Sequence, residues 1–192
     1  ISASELKRLQ PWCAVDDIHS VAYEPHSGYA DAPIATRSMA DAAERAGAEI
    51  LEWTKTVRLL SDGTRIAGVE TDRGTIATSH VVLAAGPWST NLAATVGVDL
   101  PVETIRVQIA IFHRPREISG PHFVFLDMAA GGFTRPWAPG RSMIGVGGGD
   151  QHDPADPDAF TLGNDPEFPD IAKDVMARRI PAMARAQYLH GH

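Results

Sequence analysis

Val81-Val82-Leu83-Ala84-Ala85-Gly86-Pro87-Trp88 is the stretch that decides how this chain is read. From Val81 to Gly86 the residues are small or apolar and carry no charge, and the run stops at Gly86-Pro87. A short apolar run bounded by Gly and Pro has the pattern of a strand buried on both faces. Ser89 follows as a candidate N-cap. Leu92, Ala93 and Val96 then recur at helical spacing before Gly97, a candidate stop. The stretch therefore predicts buried strand, tight turn, short helix. Small residues at such a turn let a ligand approach the main chain, and a helix start favours anionic groups. The same pattern also fits a close-packed corner with no ligand.

Upstream, Ser4 to Gln10 predicts a short helix with Ser4 as cap, ended by Pro11. Residues 11–34 are broken by Pro25, Gly28 and Pro33, with one short strand expected at Ser20–Tyr23. Asp31 as cap, Pro33 in the first turn and Ile34, Met39, Ala42, Ala43 and Ala46 on one face predict a helix closed by Gly47. Leu51, Trp53, Val57 and Leu59 share one parity and predict a strand. Turns at Ser61–Thr64 and Asp72–Gly74 separate it from strands at Arg65–Thr71 and Thr75–Thr78, an antiparallel meander.

Downstream, Asp99-Leu100-Pro101 reads as a hinge. Val102 to Phe112 alternates, with Ile105, Val107, Ile109 and Ile111 on one side and Thr104, Arg106, Gln108 and Ala110 on the other. Further strands are expected at Phe123–Asp127, Gly132–Trp137 and Ser142–Val146, and a helix at Pro169–Arg179. The fold class is α+β, an α/β portion followed by a mostly antiparallel sheet with flanking helices. The expected domains are residues 1–98 and 99–192.

The totals bound the function. The 192 residues carry a formal net charge of −7, which argues against a nucleic-acid partner. Cys13 is the sole cysteine, as expected in a reducing, cytoplasmic compartment. No apolar run approaches transmembrane length. The eight histidines show no metal-ligand spacing. His152-Asp153 and His190-Gly191-His192 read as exposed loop and tail, and no metal is expected. Gly145 to Asp150 lacks the third glycine and following helix of a dinucleotide loop. No G-x-S-x-G elbow supports a serine hydrolase. Asp153, Asp156, Asp158, Asp165 and Asp170 read as a solvated acidic face. Arg106 and Gln108, on one side of an apolar strand, need partners if buried, or mark a wet face. Arg135, between Phe133 and Trp137, is placed to receive a carboxylate or to stack on an aromatic ring.

Together these pieces resemble the FAD-dependent oxidoreductases of the D-amino-acid oxidase superfamily, nearest the sarcosine and glycine oxidases and related dehydrogenases. The residues that carry the resemblance are Gly28–Asp31, Gly47–Ile50, Thr56-Val57, Gly68–Thr71, Gly74 and, above all, Val82–Ser89. Gly97–Val102 and Arg106–Gln108 continue it. The resemblance implies that the main chain at Val57 bonds the FAD adenine. It implies that the Ala84-Ala85-Gly86 turn lies against the cofactor, with Trp88 packing nearby. Residues 1–98 are then part of an FAD domain, and 99–192 a substrate domain that roofs the flavin. Gln108, Phe133, Arg135 and Arg106 are the implied substrate contacts, and no catalytic residue is assigned. The implied substrate is a small amine or amino acid, oxidised at its C–N bond by hydride transfer to the flavin.

The family opens with a G-x-G-x-x-G strand and closes with a glycine-rich segment; this sequence contains neither. It is expected to be a middle piece of a longer enzyme and inactive alone. Sarcosine oxidases carry an oxygen-activating lysine in the strand like Ser142–Val146, where this chain has Met143, so the resemblance leaves both an oxidase and a dehydrogenase-like member open. The alternatives are a non-catalytic binding or scaffold module and a flavin monooxygenase-like protein.

Overall fold

In the computed structural model, which describes residues 1–118, 120–147 and 153–192, the chain divides into two compact units. One joins Ile1–Gly28 to Ile105–His192; the other is Tyr29–Thr104. This division differs from the expected cut at residue 98. The first 28 residues pack with the second half, because Cys13 is fully buried among Phe112, Ile144, Met176 and Ile180. A local sequence pattern cannot register a contact made across about a hundred residues.

In the 29–104 unit, helix α2 (Ala32–Arg45; α1 lies in the other unit) starts as expected, with Asp31 Oδ1 accepting the Ile34 N–H at 3.0 Å. Gly47, at φ 96°, reverses the chain after it. No residue of α2 is buried, and Ile34 and Met39 are 67% and 74% exposed. Strands β1 (Thr56–Ser61), β2 (Ile66–Thr71) and β3 (Gly74–Ala77) form the expected antiparallel meander in the order β1-β2-β3. Asp62 Oδ1 holds the first turn by accepting from the Thr64 and Arg65 N–H groups. β1 begins at Thr56 rather than Leu51, because Trp53 adopts a left-handed φ of 57°.

Val81 to Ala85 is not a strand. Val82 is 92% exposed. A doubly buried strand takes its ladder and its cover from neighbours on both sides, and among the described residues no strand pairs with this stretch. The turn and helix that follow are present. Gly86–Trp88 forms a single 3-10 turn leading into α3 (Ser89–Ala94). Ser89 lies inside the helix and makes no cap bond; Trp88 occupies the cap position.

In the other unit, α1 (Ala3–Leu9) is capped by Ser2, two residues before the expected Ser4, through a reciprocal bond with Glu5. Strands β4 (Ile109–His113), β5 (Phe125–Asp127), β6 (Gly132–Ala138), β7 (Arg141–Val146) and β8 (Gln187–Gly191) form an antiparallel sheet in the order β5-β6-β7-β4-β8. Helix α4 (Phe168–Arg179) lies on one face. There Phe168, Ala172 and Met176 meet Ala110, Phe112 and Ile144. Each large apolar side chain buried in this cluster contributes roughly 2 kcal/mol.

Three expectations change here. The strand expected from Val102 shortens to Ile109–His113, with Ile105 joined only by one bridge to Pro154. Val107 is 55% exposed, so the alternation upstream of Ile109 faces outward and lacks a ladder. Ser20–Tyr23 is not a strand, although Val21 exchanges both main-chain bonds with Ile1. The tail becomes edge strand β8, because β4 offers it a free ladder.

Candidate functional site

The meander carries an irregularity at one informative residue. Partners run from Thr56↔Thr71 directly to Arg58↔Glu70, so Val57 is the extra residue of a bulge. It lies on β1, an outer strand, and its side chain is half-exposed. A bulge on an edge strand leaves main-chain groups outside the ladder, where a ligand can meet them.

Gly86 offers the complementary feature. Its φ of 53° and the open space where a Cβ would stand leave a corner without a side chain. Ala84 before it is exposed, Ala85 is half-buried, and Trp88 is 44% exposed. The unit is braced by the Leu59 N–H donating to Thr95 Oγ1 at 3.1 Å, which ties β1 to the end of α3. An adenine edge needs unladdered main chain, and a flat dinucleotide needs a corner free of side chains, so these residues fit the group. With six residues, α3 adds no anion site of its own.

In the other unit the four implied substrate residues fall into two pairs. Arg106 donates through Nε to the Thr161 carbonyl, through Nη1 to Asp153 and Asp165, and through Nη2 to Asp165 and the Gly163 carbonyl. Every N–H of its guanidinium is thereby engaged. Gln108 holds the same carboxylate with its Nε2 at 2.8 Å and accepts the Asp165 N–H with its Oε1 at 2.8 Å. The Arg106 bond holds the Asp165 carboxyl below its ordinary range. This pair is a clamp on residues 153–165.

Phe133 and Arg135 form the second pair. They stand two apart on β6 and so share a face. Register sets Phe133 beside Leu126, Gly145 and Ile109, and Arg135 beside Met143, Ile111 and His190. This face is opposite the one α4 covers, where Thr134, Ile144 and Phe112 lie. The Arg135 guanidinium sits 4.8 Å from the Trp137 ring centroid and donates to the Pro136 carbonyl at 3.2 Å. The expected stacking and the expected placement for a carboxylate are thus compatible, since Arg135 remains partly exposed.

His190 was missed as a member of this face. It pairs with Ile111 after a bulge in β8 and is no loose tail residue. Only the long-range pairing with β4 could reveal it. Of the Gly145–Asp150 motif, Gly145 and Val146 belong to β7, while Gly148, Gly149 and Asp150 lie outside the described residues, as does His152. Among the described residues no cluster of three or more His, Cys, Asp or Glu could hold a metal ion. No described helix is long and apolar enough to cross a membrane.

A separate groove lies elsewhere in this unit. About 840 Å³ in volume, it runs between residues 17–28 and 123–129. Arg179 reaches its floor but is committed to Asp17, Asp127 and the Ala14 carbonyl. Burial opposes its charge, yet the two carboxylates outweigh that and hold its pKa raised. Tyr23 stacks on Phe123 along the groove wall, with ring centroids 5.6 Å apart.

Human mitochondrial sarcosine dehydrogenase is 36% identical over 107 residues, covering 53% of this chain and 12% of that protein. The 4-methylaminobutanoate oxidase (formaldehyde-forming) of Paenarthrobacter nicotinovorans is 30% identical over 149 residues, 76% of this chain and 18% of that protein. The crystal structure of L-proline dehydrogenase from P. horikoshii superposes with a TM-score of 0.82 at 24% identity, covering all of this chain and 50% of the other. Glycine oxidase from Geobacillus kaustophilus gives 0.75 at 23% identity, with 48% of that chain covered. The chain therefore spans a minor part of its curated relatives and about half of these solved chains. The family described as FAD dependent oxidoreductase (DAO), whose cofactor is FAD, matches residues 1–191. With residues 1–191 matched and its α+β fold shared, the chain belongs to the DAO family of FAD-dependent oxidoreductases.

Proposed function

We propose that the protein carrying this chain oxidises the C–N bond of a small amine or amino acid, in the reducing cytoplasm that its lone buried thiol suits. The observation that carries this reading is the shared face of Phe133 and Arg135 on β6, an aromatic ring and a stacked cation side by side. Arg135 holds the substrate carboxylate by charge-assisted bonds. Phe133, Ile111 and Met143 give an apolar surround that keeps water from the reacting carbon. FAD, when bound, supplies the two-electron oxidation by accepting a hydride. The substrate leaves as an imine, which water hydrolyses to a carbonyl compound and an amine.

Val57, Ala84, Ala85, Gly86 and Trp88 are the residues we assign to the cofactor: main chain at Val57, and the bare corner at Ala84–Gly86. Residues 29–104 serve the cofactor; the five-stranded sheet serves the substrate. Arg106 acts through Asp165 and not by touching substrate, because its donors are occupied, and Gln108 holds the same carboxylate. The names of the relatives, sarcosine dehydrogenase, 4-methylaminobutanoate oxidase and glycine oxidase, support a small amine or amino acid as the class.

The test is spectral. The FAD-loaded protein is mixed without oxygen with sarcosine, glycine, L-proline, 4-methylaminobutanoate and a set of D-amino acids. At least one should bleach the oxidised flavin band, and Arg135→Ala should raise the concentration needed at least tenfold. No bleaching by any of these compounds sinks the proposal.

A further inference from the structure

Phe133 and Gly145 are cross-strand partners on β6 and β7. A Cβ built on Gly145 would stand 2.2 Å from both Cε1 and Cζ of the Phe133 ring. Glycine weakens a strand interior, and Gly145 is not among the residues with a left-handed φ. Backbone conformation therefore does not call for glycine here. What the missing side chain permits is contact: the ring folds down onto the main chain of β7 where any Cβ would lift it.

The folded ring joins Leu126 and Ile109 in an apolar row. The neighbouring row begins with Arg135. Residues two apart on a strand are separated by roughly 7 Å, a gap that a small amino acid bridges only with its carboxylate bonded to the guanidinium at one end and its substituent laid on the ring at the other.

We infer that Gly145 is a specificity-determining position: by keeping Phe133 folded it presents an apolar shelf beside Arg135, and the site selects amino acids with an apolar substituent over glycine. This rests on the proposed role of Arg135 as the carboxylate partner. Gly145 is a positioning residue; Phe133 makes the contact. Alanine at 145 lifts the ring into the space the substituent takes, with the strand pairing kept, since the colliding atoms are the far end of a side chain.

Acetate and phenylacetate separate the two ideas. Both share the carboxylate, and only the second carries an apolar group. Binding is measured by titration calorimetry on the FAD-loaded protein, with Trp137 emission as a second readout. Wild type should bind phenylacetate at least tenfold more tightly than acetate. Phe133→Ala should bring the two within about twofold. Gly145→Ala should do the same with the ring still present. The double variant should lose nothing further, a non-additivity that a general loosening of the sheet would not produce.

Equal affinity for the two acids in wild type, with both lost in Arg135→Ala, overturns the inference and leaves the reading of Arg135 intact. Arg135→Ala without effect on either acid overturns that reading, and the inference with it. A Gly145→Ala protein that keeps its phenylacetate preference overturns the role of Gly145. Should that variant fail to fold, Phe133→Ala and Phe133→Leu decide: a preference that survives both overturns the shelf.

Discussion

His122 Nε2 lies 2.7 Å from Ser142 Oγ, and His122 Nδ1 lies 2.6 Å from the Phe123 carbonyl oxygen. A carbonyl only accepts, so Nδ1 carries the proton and Nε2 accepts from the serine hydroxyl. Both bonds fit a neutral ring. Burial, aided by the nearby Arg114 and opposed by the Phe123 carbonyl, lowers the pKa from 6.5 to about 4. The unfolded chain therefore binds a proton that the folded chain refuses between these values. Stability is fully present above pH 6.5 and falls as pH drops toward about 4, by roughly 3 kcal/mol across the window. Urea midpoints measured from pH 7 to 4 should show this slope in wild type and a flatter one in His122→Gln. Equal slopes would refute the assignment.

Arg106 organises residues 153–165 through a fork of donors rather than through charge alone. Arg106→Lys keeps the charge but has fewer donors and no planar fork. It should expose the segment to limited proteolysis nearly as much as Arg106→Ala, with the sheet intact by circular dichroism. Protection restored by lysine would show that charge suffices.

The proposed cofactor role of Val57 is a main-chain one, so its side chain should hardly matter. Val57→Ala should leave FAD affinity within about twofold. Val57→Pro removes the N–H and should weaken FAD up to about tenfold, the worth of one hydrogen bond near the top of its usual range. Fluorescence titration of FAD distinguishes the two. An unaffected proline variant would remove Val57 from the cofactor site.

Met143 is 6% exposed and stands beside Arg135 and Ile111. A thioether carries no positive charge to stabilise reduced oxygen. Met143→Lys should speed the reoxidation of the reduced protein by oxygen at least tenfold in stopped flow. It should also lower the thermal midpoint, because an ammonium is then partly buried. Unchanged reoxidation would count against the correspondence of Met143 with the lysine of sarcosine oxidases.

What the residues alone disclosed was whatever is local. The Asp31 cap, the Asp62 turn and the two-residue spacing of Phe133 and Arg135 are each set within a few positions, and each is present. What they concealed depends on distant partners. Val102 to Gln108 alternates as well as Ile109 to Phe112, yet only the second piece finds strands on both sides. Whether Arg106 is partnered or simply wet was not legible locally, because the carboxylate that engages it lies 59 positions away. The apolar run at Val81 carries the composition of a buried strand without, among the described residues, the neighbours that would make it one. The bulge at Val57 and the glycine under Phe133 are invisible until two strands are laid together.

Helix α2 has a well-formed start, a sharp stop and no buried residue between them. A helix of this length gains little from its own hydrogen bonds and depends on cover for its apolar stripe. At Ile34 and Met39, 67% and 74% exposed, that stripe lacks its cover among the described residues. Polar replacements at those two positions should register first as failed assembly or poor yield, with the flavin chemistry unaltered in the molecules that survive.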